Sequence, residues 1–234
     1  MKEYIIRKVL NEEELKTIHE LIKGCTEWMD GHDTSPWGDE VRQTNLEINR
    51  LKEPNHPEIN KTVFSAIDRD IDFRMFTWAE SSESVIVSKH RTGDWFKGHE
   101  DNPSNGNFTT TIFLDDPETY EGGELCFLLN GKEEKFKLPA GHAITYNTGI
   151  LHRVSEVTKG ERNAIVFWSK GKNRDRFLVD LCYDINKLNT QFNKMILDNN
   201  IDTTIDKNNL EETFNDPKNL IISLLYRLER KLMY

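Results

Sequence analysis

Between residues 84 and 168 the chain is a succession of short apolar runs broken by turn residues, and this pattern limits the fold more than any other feature. Val85-Ile86-Val87 and segments 109–114, 124–129, 135–138, 143–146, 153–157 and 164–168 are rich in β-branched or aromatic residues. Such residues fit a pleated, half-buried surface. Asp115-Asp116-Pro117, Gly122-Gly123, Asn130-Gly131, Pro139-Ala140-Gly141 and Lys159-Gly160 separate the runs. Asn-Gly supplies the positive φ angles of a two-residue turn, so Asn130-Gly131 marks a hairpin. Seven or more strands in about 85 residues indicate a β-sandwich or barrel.

Helical signals flank this block. Asn11 followed by Glu14 has the form of a capping box, and Leu15, Ile18, Leu21 and Ile22 recur at helical spacing, so a helix is expected over 12–24. A loop follows at Asp30-Gly31 and residues 33–36. A second helix is expected from Pro57 through Val63, Phe64 and Ile67, since proline is tolerated in a first helical turn. Beyond Gly171 the pattern is helical again at 177–188 and, after a polar stretch at 199–219, along the apolar stripe Leu220, Ile221, Leu224, Leu225, Leu228 and Leu232. That stripe either packs on the β core or forms a homodimer interface. The expected organisation is an N-terminal α+β flank (1–80), a β core (81–171) and a C-terminal helical extension (172–234).

Composition narrows the function classes. A net charge of -9 argues against a nucleic-acid surface, which needs clustered Lys and Arg; the basic residues of 170–176 are flanked by acidic ones and read as a solvated loop. No stretch approaches the ~20 apolar residues of a membrane span, and residues 1–10 lack the apolar run of a signal peptide. Cys25, Cys126 and Cys182 lie far apart without metal-ligand spacing, as reduced thiols packed like small hydrophobes would. A cytoplasmic, disulfide-free protein is expected.

His99-Glu100-Asp101, followed 51 residues after Asp101 by His152, is the chain's chemical signature. Residues i and i+2 of a strand share a face, so His99 and Asp101 are expected to project together while Glu100 points away. Two imidazoles and a carboxylate occupy one face of an Fe(II) ion and leave three positions open, whereas a structural metal site is closed. Arg162, ten residues past His152, is expected on a strand antiparallel to the His152 segment, where its guanidinium can clamp a carboxylate through two parallel hydrogen bonds. Taken singly, His152 also reads as a strand histidine, Asp101 as a turn residue and Arg162 as an exposed hairpin charge.

Wider motifs bear on that choice. His99-Glu100-Asp101-Asn102, residues 116–125, Leu138-Pro139-Ala140-Gly141, Leu151-His152-Arg153-Val154 and the stretch from Thr158 through Arg162 to Trp168 fall in one order. Together with Trp28-Met29-Asp30-Gly31, Asn45 and the C-terminal helical segments, they resemble the PKHD-type hydroxylases, Fe(II)/2-oxoglutarate dioxygenases of the prolyl 4-hydroxylase superfamily. The resemblance implies a double-stranded β-helix (jelly roll) with His99, Asp101 and His152 on Fe(II) and Arg162 on the C5 carboxylate of 2-oxoglutarate. It implies Thr111 and Tyr146 beside the co-substrate, dioxygen as oxidant and ascorbate as reductant. One position departs from the pattern. Gly93 precedes His99 as the Gly of the family's Tyr-x-x-Gly motif does, but the Tyr position holds His90, whose charge is expected to vary with pH near neutrality. Trp95 and Phe96 either wall the substrate entrance or pack in the core. The implied reaction is hydroxylation of a C–H bond with release of succinate and CO2. The substrate is a peptidyl proline, a free amino acid or another small metabolite, since a fold does not establish a substrate. A jelly-roll binding module with a vestigial metal site is the non-catalytic alternative.

Overall fold

The structure is a computed structural model that describes residues 3–34 and 44–171, together with the helical positions Ile185, Leu188, Gln191 and Lys194. The chain divides into two compact units, Lys2–Lys172 and Asn173–Tyr234 with Met1. The expected helix at 177–188 lies outside the described residues except at Ile185 and Leu188, and the apolar stripe at 220–232, with its homodimer interface, lies wholly outside them. No described helix is long and apolar enough to cross a membrane.

In the first unit, β1 (Tyr4–Lys8) leads into α1 (Glu12–Lys23), whose capping box is complete. The Glu14 amide donates to Asn11 Oδ1 at 2.9 Å and the Asn11 amide to Glu14 Oε2 at 3.0 Å. Short strands β2 (Trp28–Asp30) and β3 (Leu46–Ile48) precede α2 (His56–Arg69), which carries Pro57 in its first turn and buries Ile59, Val63, Ala66 and Ile67. Helix α3 (Ile71–Thr77) begins at Asp70, whose carboxylate accepts from the Phe73 amide at 2.7 Å.

Among the described residues eleven further strands follow: β4 (Ala79–Ser82), β5 (Ile86–Arg91), β6 (Phe96–His99), β7 (Phe108–Phe113), β8 (Glu121–Gly122), β9 (Leu125–Leu129), β10 (Lys132–Phe136), β11 (His142–Asn147), β12 (His152–Val154), β13 (Val157–Lys159) and β14 (Glu161–Gly171). A large antiparallel sheet runs β1-β11-β7-β14-β5-β3-β2, with β4 added to β14, and a smaller one runs β10-β9-β12-β6. The expected hairpin joins β9 to β10: Leu129 pairs with Lys132, and Asn130 and Gly131 have φ of 51° and 74°.

The large sheet separates two apolar clusters. On one face Ile112, Leu114, Ile165 and Phe167 pack with Ile18 of α1 and Ile59, Val63 and Ile67 of α2. On the other, Phe113, Ile144 and Tyr146 pack with Leu125, Phe127 and Val154 of the small sheet. Strand alternation assigns neighbouring residues of β7 and β11 to opposite clusters. This two-sheet, helix-backed arrangement is the jelly roll expected from the sequence.

Two expectations need correction. Segment 153–157 is not one strand: β12 belongs to the small sheet and β13 pairs with β8, the chain turning where the Ser155 amide donates to the Glu124 carbonyl at 2.9 Å. Arg162 consequently does not lie on a strand paired with the His152 segment. It sits on β14, which pairs with β4, β5 and β7 of the large sheet.

Candidate active site

The two sheets bring the signature residues into one cleft between them. His99 ends β6 and stands directly opposite His152, the first residue of β12. Asp101 lies two residues beyond His99 but past the end of the strand, so simple alternation does not place it. Instead its amide donates to the Thr148 carbonyl at 3.3 Å, and its Oδ2 accepts from the Thr109 hydroxyl at 2.7 Å. Glu100 is exposed, outside the cleft lining.

His99 Nε2 is 3.5 Å from Asp101 Oδ1, and His152 Nε2 is 3.8 Å from Asp101 Oδ2. One ligand atom from each of the three lies within 4.8 Å of the others. First-row metal bonds to His and Asp are about 2.0–2.2 Å, so a single ion reaches all three with small side-chain adjustments. Both imidazoles are already oriented for it. His99 Nδ1 donates to the Lys97 carbonyl and His152 Nδ1 to the Ile150 carbonyl, each at 2.8 Å. A carbonyl can only accept, so each Nδ1 carries the proton and each Nε2 presents its lone pair to the cleft. Phe96 stacks on His99 with centroids 4.0 Å apart and so walls the cleft; Trp95 does not line it.

Electrostatics favour metal-ready protonation states. Burial opposes ionisation of Asp101, but the adjoining His99 and His152 imidazoles and the Thr109 hydroxyl outweigh it and hold the carboxyl below its ordinary value. Burial pushes His152 down, with Asp101 opposing, so the ring stays neutral. Neutral imidazole and ionised carboxylate are the forms a metal binds.

Arg162 faces the triad from the opposite sheet. Its side chain is buried, with the guanidinium 5.4 Å above the Phe113 ring and the Tyr120 hydroxyl beside it. Among the described residues no carboxylate pairs with it within 4 Å, and its Nε has no hydrogen-bond partner. Gly123 makes its room: at φ +66°, a Cβ there would stand 3.1 Å from Arg162 Cδ. A buried cation without a counter-ion carries a desolvation penalty of several kcal/mol. This cradle therefore fits a bound anion, and a co-substrate carboxylate meets it.

Thr111 and Tyr146 line the cleft between the two ends. Tyr146 is fully buried, and burial, with Asp101 nearby, keeps its hydroxyl protonated. His90 lies on β5 directly opposite Arg162. The expectation that its charge varies near neutral pH fails: burial foremost, and Arg162 beside it, push its pKa well below 6.5, so the ring is neutral. Thr109, Tyr120, Ser88 and Asn45 were not singled out as site residues from the sequence. For Thr109 a signal existed, because it sits two residues before Thr111 on the same strand face.

The family model of the 2OG-Fe(II) oxygenase superfamily matches residues 85–170. A PKHD-type hydroxylase of Prochlorococcus marinus is 31% identical over 188 residues, 76% of this chain and 85% of the relative. One of Acaryochloris marina is 30% identical over 184 residues, 77% and 83% of the two chains. Among solved structures, the fold is shared with a prolyl hydroxylase from Trichoplax adhaerens in complex with a hypoxia inducible factor peptide fragment (TM-score 0.58, 16% identity, 75% of this chain and 86% of that one). It is also shared with a Pseudomonas putida prolyl-4-hydroxylase (TM-score 0.51, 14% identity, 73% and 94%).

Proposed function

The chain belongs to the PKHD-type hydroxylases of the 2OG-Fe(II) oxygenase superfamily, an Fe(II)- and 2-oxoglutarate-dependent dioxygenase, and from this we propose that it hydroxylates a C–H bond of a prolyl residue in a peptide or protein. Succinate and CO2 are the proposed co-products. The observation that carries the site assignment is the convergence of three oriented ligands and one uncompensated arginine on a single cleft.

His99 Nε2, Asp101 and His152 Nε2 would hold Fe(II), and Arg162 the distal carboxylate of 2-oxoglutarate, with Thr111, Tyr146 and His90 around it. When bound, this iron and co-substrate supply oxidative decarboxylation coupled to insertion of one oxygen atom into a substrate C–H bond. The residues do the rest. Lys97 and Ile150 carbonyls lock the imidazoles, and Thr109 fixes the Asp101 carboxylate. Phe96, Leu125, Val154, Ile86 and Val166 give the cleft apolar walls that exclude water and suit an aliphatic ring.

Purified protein mixed anaerobically with Fe(II) and 2-oxoglutarate is expected to develop a visible charge-transfer band, and to form succinate when oxygen and ascorbate are admitted. Folded, iron-loaded protein that shows neither would overturn the assignment. Mass spectrometry across peptide and metabolite pools, searching for a +16 Da product, decides the substrate class.

A further inference from the structure

Behind Arg162 a chain of polar contacts runs out of the jelly roll to the N-terminal flank. Asn45 Nδ2 donates to Ser88 Oγ at 2.9 Å and to Glu47 Oε1 at 3.3 Å. Because a carboxylate only accepts, these contacts orient the Asn45 amide with its NH2 toward Ser88. Ser88 Oγ lies 3.4 Å from His90 Nδ1, the two residues sharing a face of β5. His90 Nε2 is buried in the cleft wall without a partner among the described residues, and the residue is 2% exposed.

This arrangement resolves which ring nitrogen carries the proton. Ser88 Oγ already accepts from Asn45, so its own hydrogen needs an acceptor. Among the described contacts the available one is His90 Nδ1. Were Nδ1 protonated, the buried Ser88 hydroxyl would receive two donors and its own hydrogen would go unsatisfied, at a desolvation penalty. With Nδ1 accepting, the proton sits on Nε2, beside Arg162. Two donors, His90 Nε2–H and the cationic Arg162 Nε–H, are then buried without a hydrogen-bond partner among the described residues.

We propose that Asn45 and Ser88 are positioning residues that hold His90 in its Nε2–H tautomer, so that the imidazole donates a hydrogen bond to the distal carboxylate of 2-oxoglutarate alongside Arg162. The inference rests on the co-substrate site proposed above. It extends that site to the chain entering β3 and gives a physical role to Gly31, which lies against Asn45. A Cβ at Gly31 would stand 2.6 Å from Asn45 Oδ1, and the Gly31 amide donates to the Asn45 carbonyl at 2.8 Å. Only a glycine leaves the Asn45 amide where Ser88 needs it.

The test reads the tautomer directly. Two-bond ¹H–¹⁵N correlation spectra of the full-length, ¹⁵N-histidine-labelled protein, with His90 assigned by H90Q, are expected to show a protonated Nε2 and a bare Nδ1 at neutral pH. S88A is expected to shift the ring toward the Nδ1–H form and weaken 2-oxoglutarate binding to the Zn(II)-loaded protein about tenfold, as loss of a hydrogen bond to a charged group does. Its Zn(II) affinity is expected to be unchanged. H90Q, whose amide presents an N–H near the Nε2 position, should bind 2-oxoglutarate more tightly than H90F. An Nδ1–H ring in the wild type overturns the proposal, as does S88A with unaltered tautomer and affinity. If the wild type shows the Nε2–H ring yet binds no 2-oxoglutarate, the underlying co-substrate reading falls, and the donation step with it.

Discussion

The two ends of the cleft are built on opposite terms. At the triad end each ligand is anchored by the protein: His99 and His152 through Nδ1 to backbone carbonyls, Asp101 through Oδ2 to Thr109. At the arginine end the groups are left wanting, with Arg162 Nε and His90 Nε2 buried and unpartnered among the described residues. A metal site can be preassembled because its ligands also hydrogen-bond to their own scaffold. An anion site made of buried donors keeps its polarity uncompensated until the anion arrives, and so favours the loaded state.

Substitutions at the two ends should therefore fail differently. The largest effect is expected for D101A: no succinate formation, iron affinity reduced by more than the ~10–100-fold that a supporting residue contributes, and stability lower by about 1 kcal/mol because the Thr109 hydroxyl trades its carboxylate acceptor at 2.7 Å for Thr148 Oγ1 at 3.4 Å. R162M should raise the KM for 2-oxoglutarate by roughly a hundredfold, two charge-assisted hydrogen bonds being lost. Yet the ligand-free Tm of R162M should stay level or rise, since an unpaired buried charge disappears. A Tm drop matching that of D101A would erase the contrast.

G123A probes the same end more gently. Its Cβ would press on Val157 Cγ2 and Arg162 Cδ at 3.0 and 3.1 Å, and φ of +66° strains any L-residue by about 1–3 kcal/mol. Weaker 2-oxoglutarate binding with unchanged iron affinity is the expected result in titration.

The smallest effect concerns pH. His90 and His152 both have folded pKa values depressed below 6.5. As pH falls through 6.5 the unfolded chain takes up protons that the folded chain excludes, so metal-free stability should decline, at up to about 1.4 kcal/mol per pH unit for each group. H90Q should flatten the slope in denaturant titrations by the share of one histidine. An identical slope would place the titration elsewhere.

These differences also explain what could be read in the sequence. The triad announces itself through a local i, i+2 spacing and a third residue on a recognisable strand. Although Asp101 lies past the strand end, the Thr148 and Thr109 contacts return its carboxylate to the same cleft. Arg162 was legible as a residue but not as a location, because its position depends on the chain leaving the small sheet between Val154 and Val157. Strands β5, β7, β9 and β11 follow from their β-branched and aromatic content. By contrast β6, Phe-Lys-Gly-His, has little strand propensity, and β1 is short and ends in Arg7-Lys8; pairing to β12 and β11 decides both. The relay from Asn45 to His90 joins residues far apart in the chain through two strands, and no spacing rule reaches that far.

The division of the core by the large sheet has a consequence for how this protein can change. Residues that anchor α1 and α2 occupy one face, and residues that line the cleft occupy the other. Their side chains alternate along the same strands, so adjacent codons serve separate tasks. Positions such as Ile86 and Val166 can be redrawn to admit a different substrate while the helix-backed face keeps the chain folded, which makes this scaffold well suited to laboratory evolution of new hydroxylation specificities.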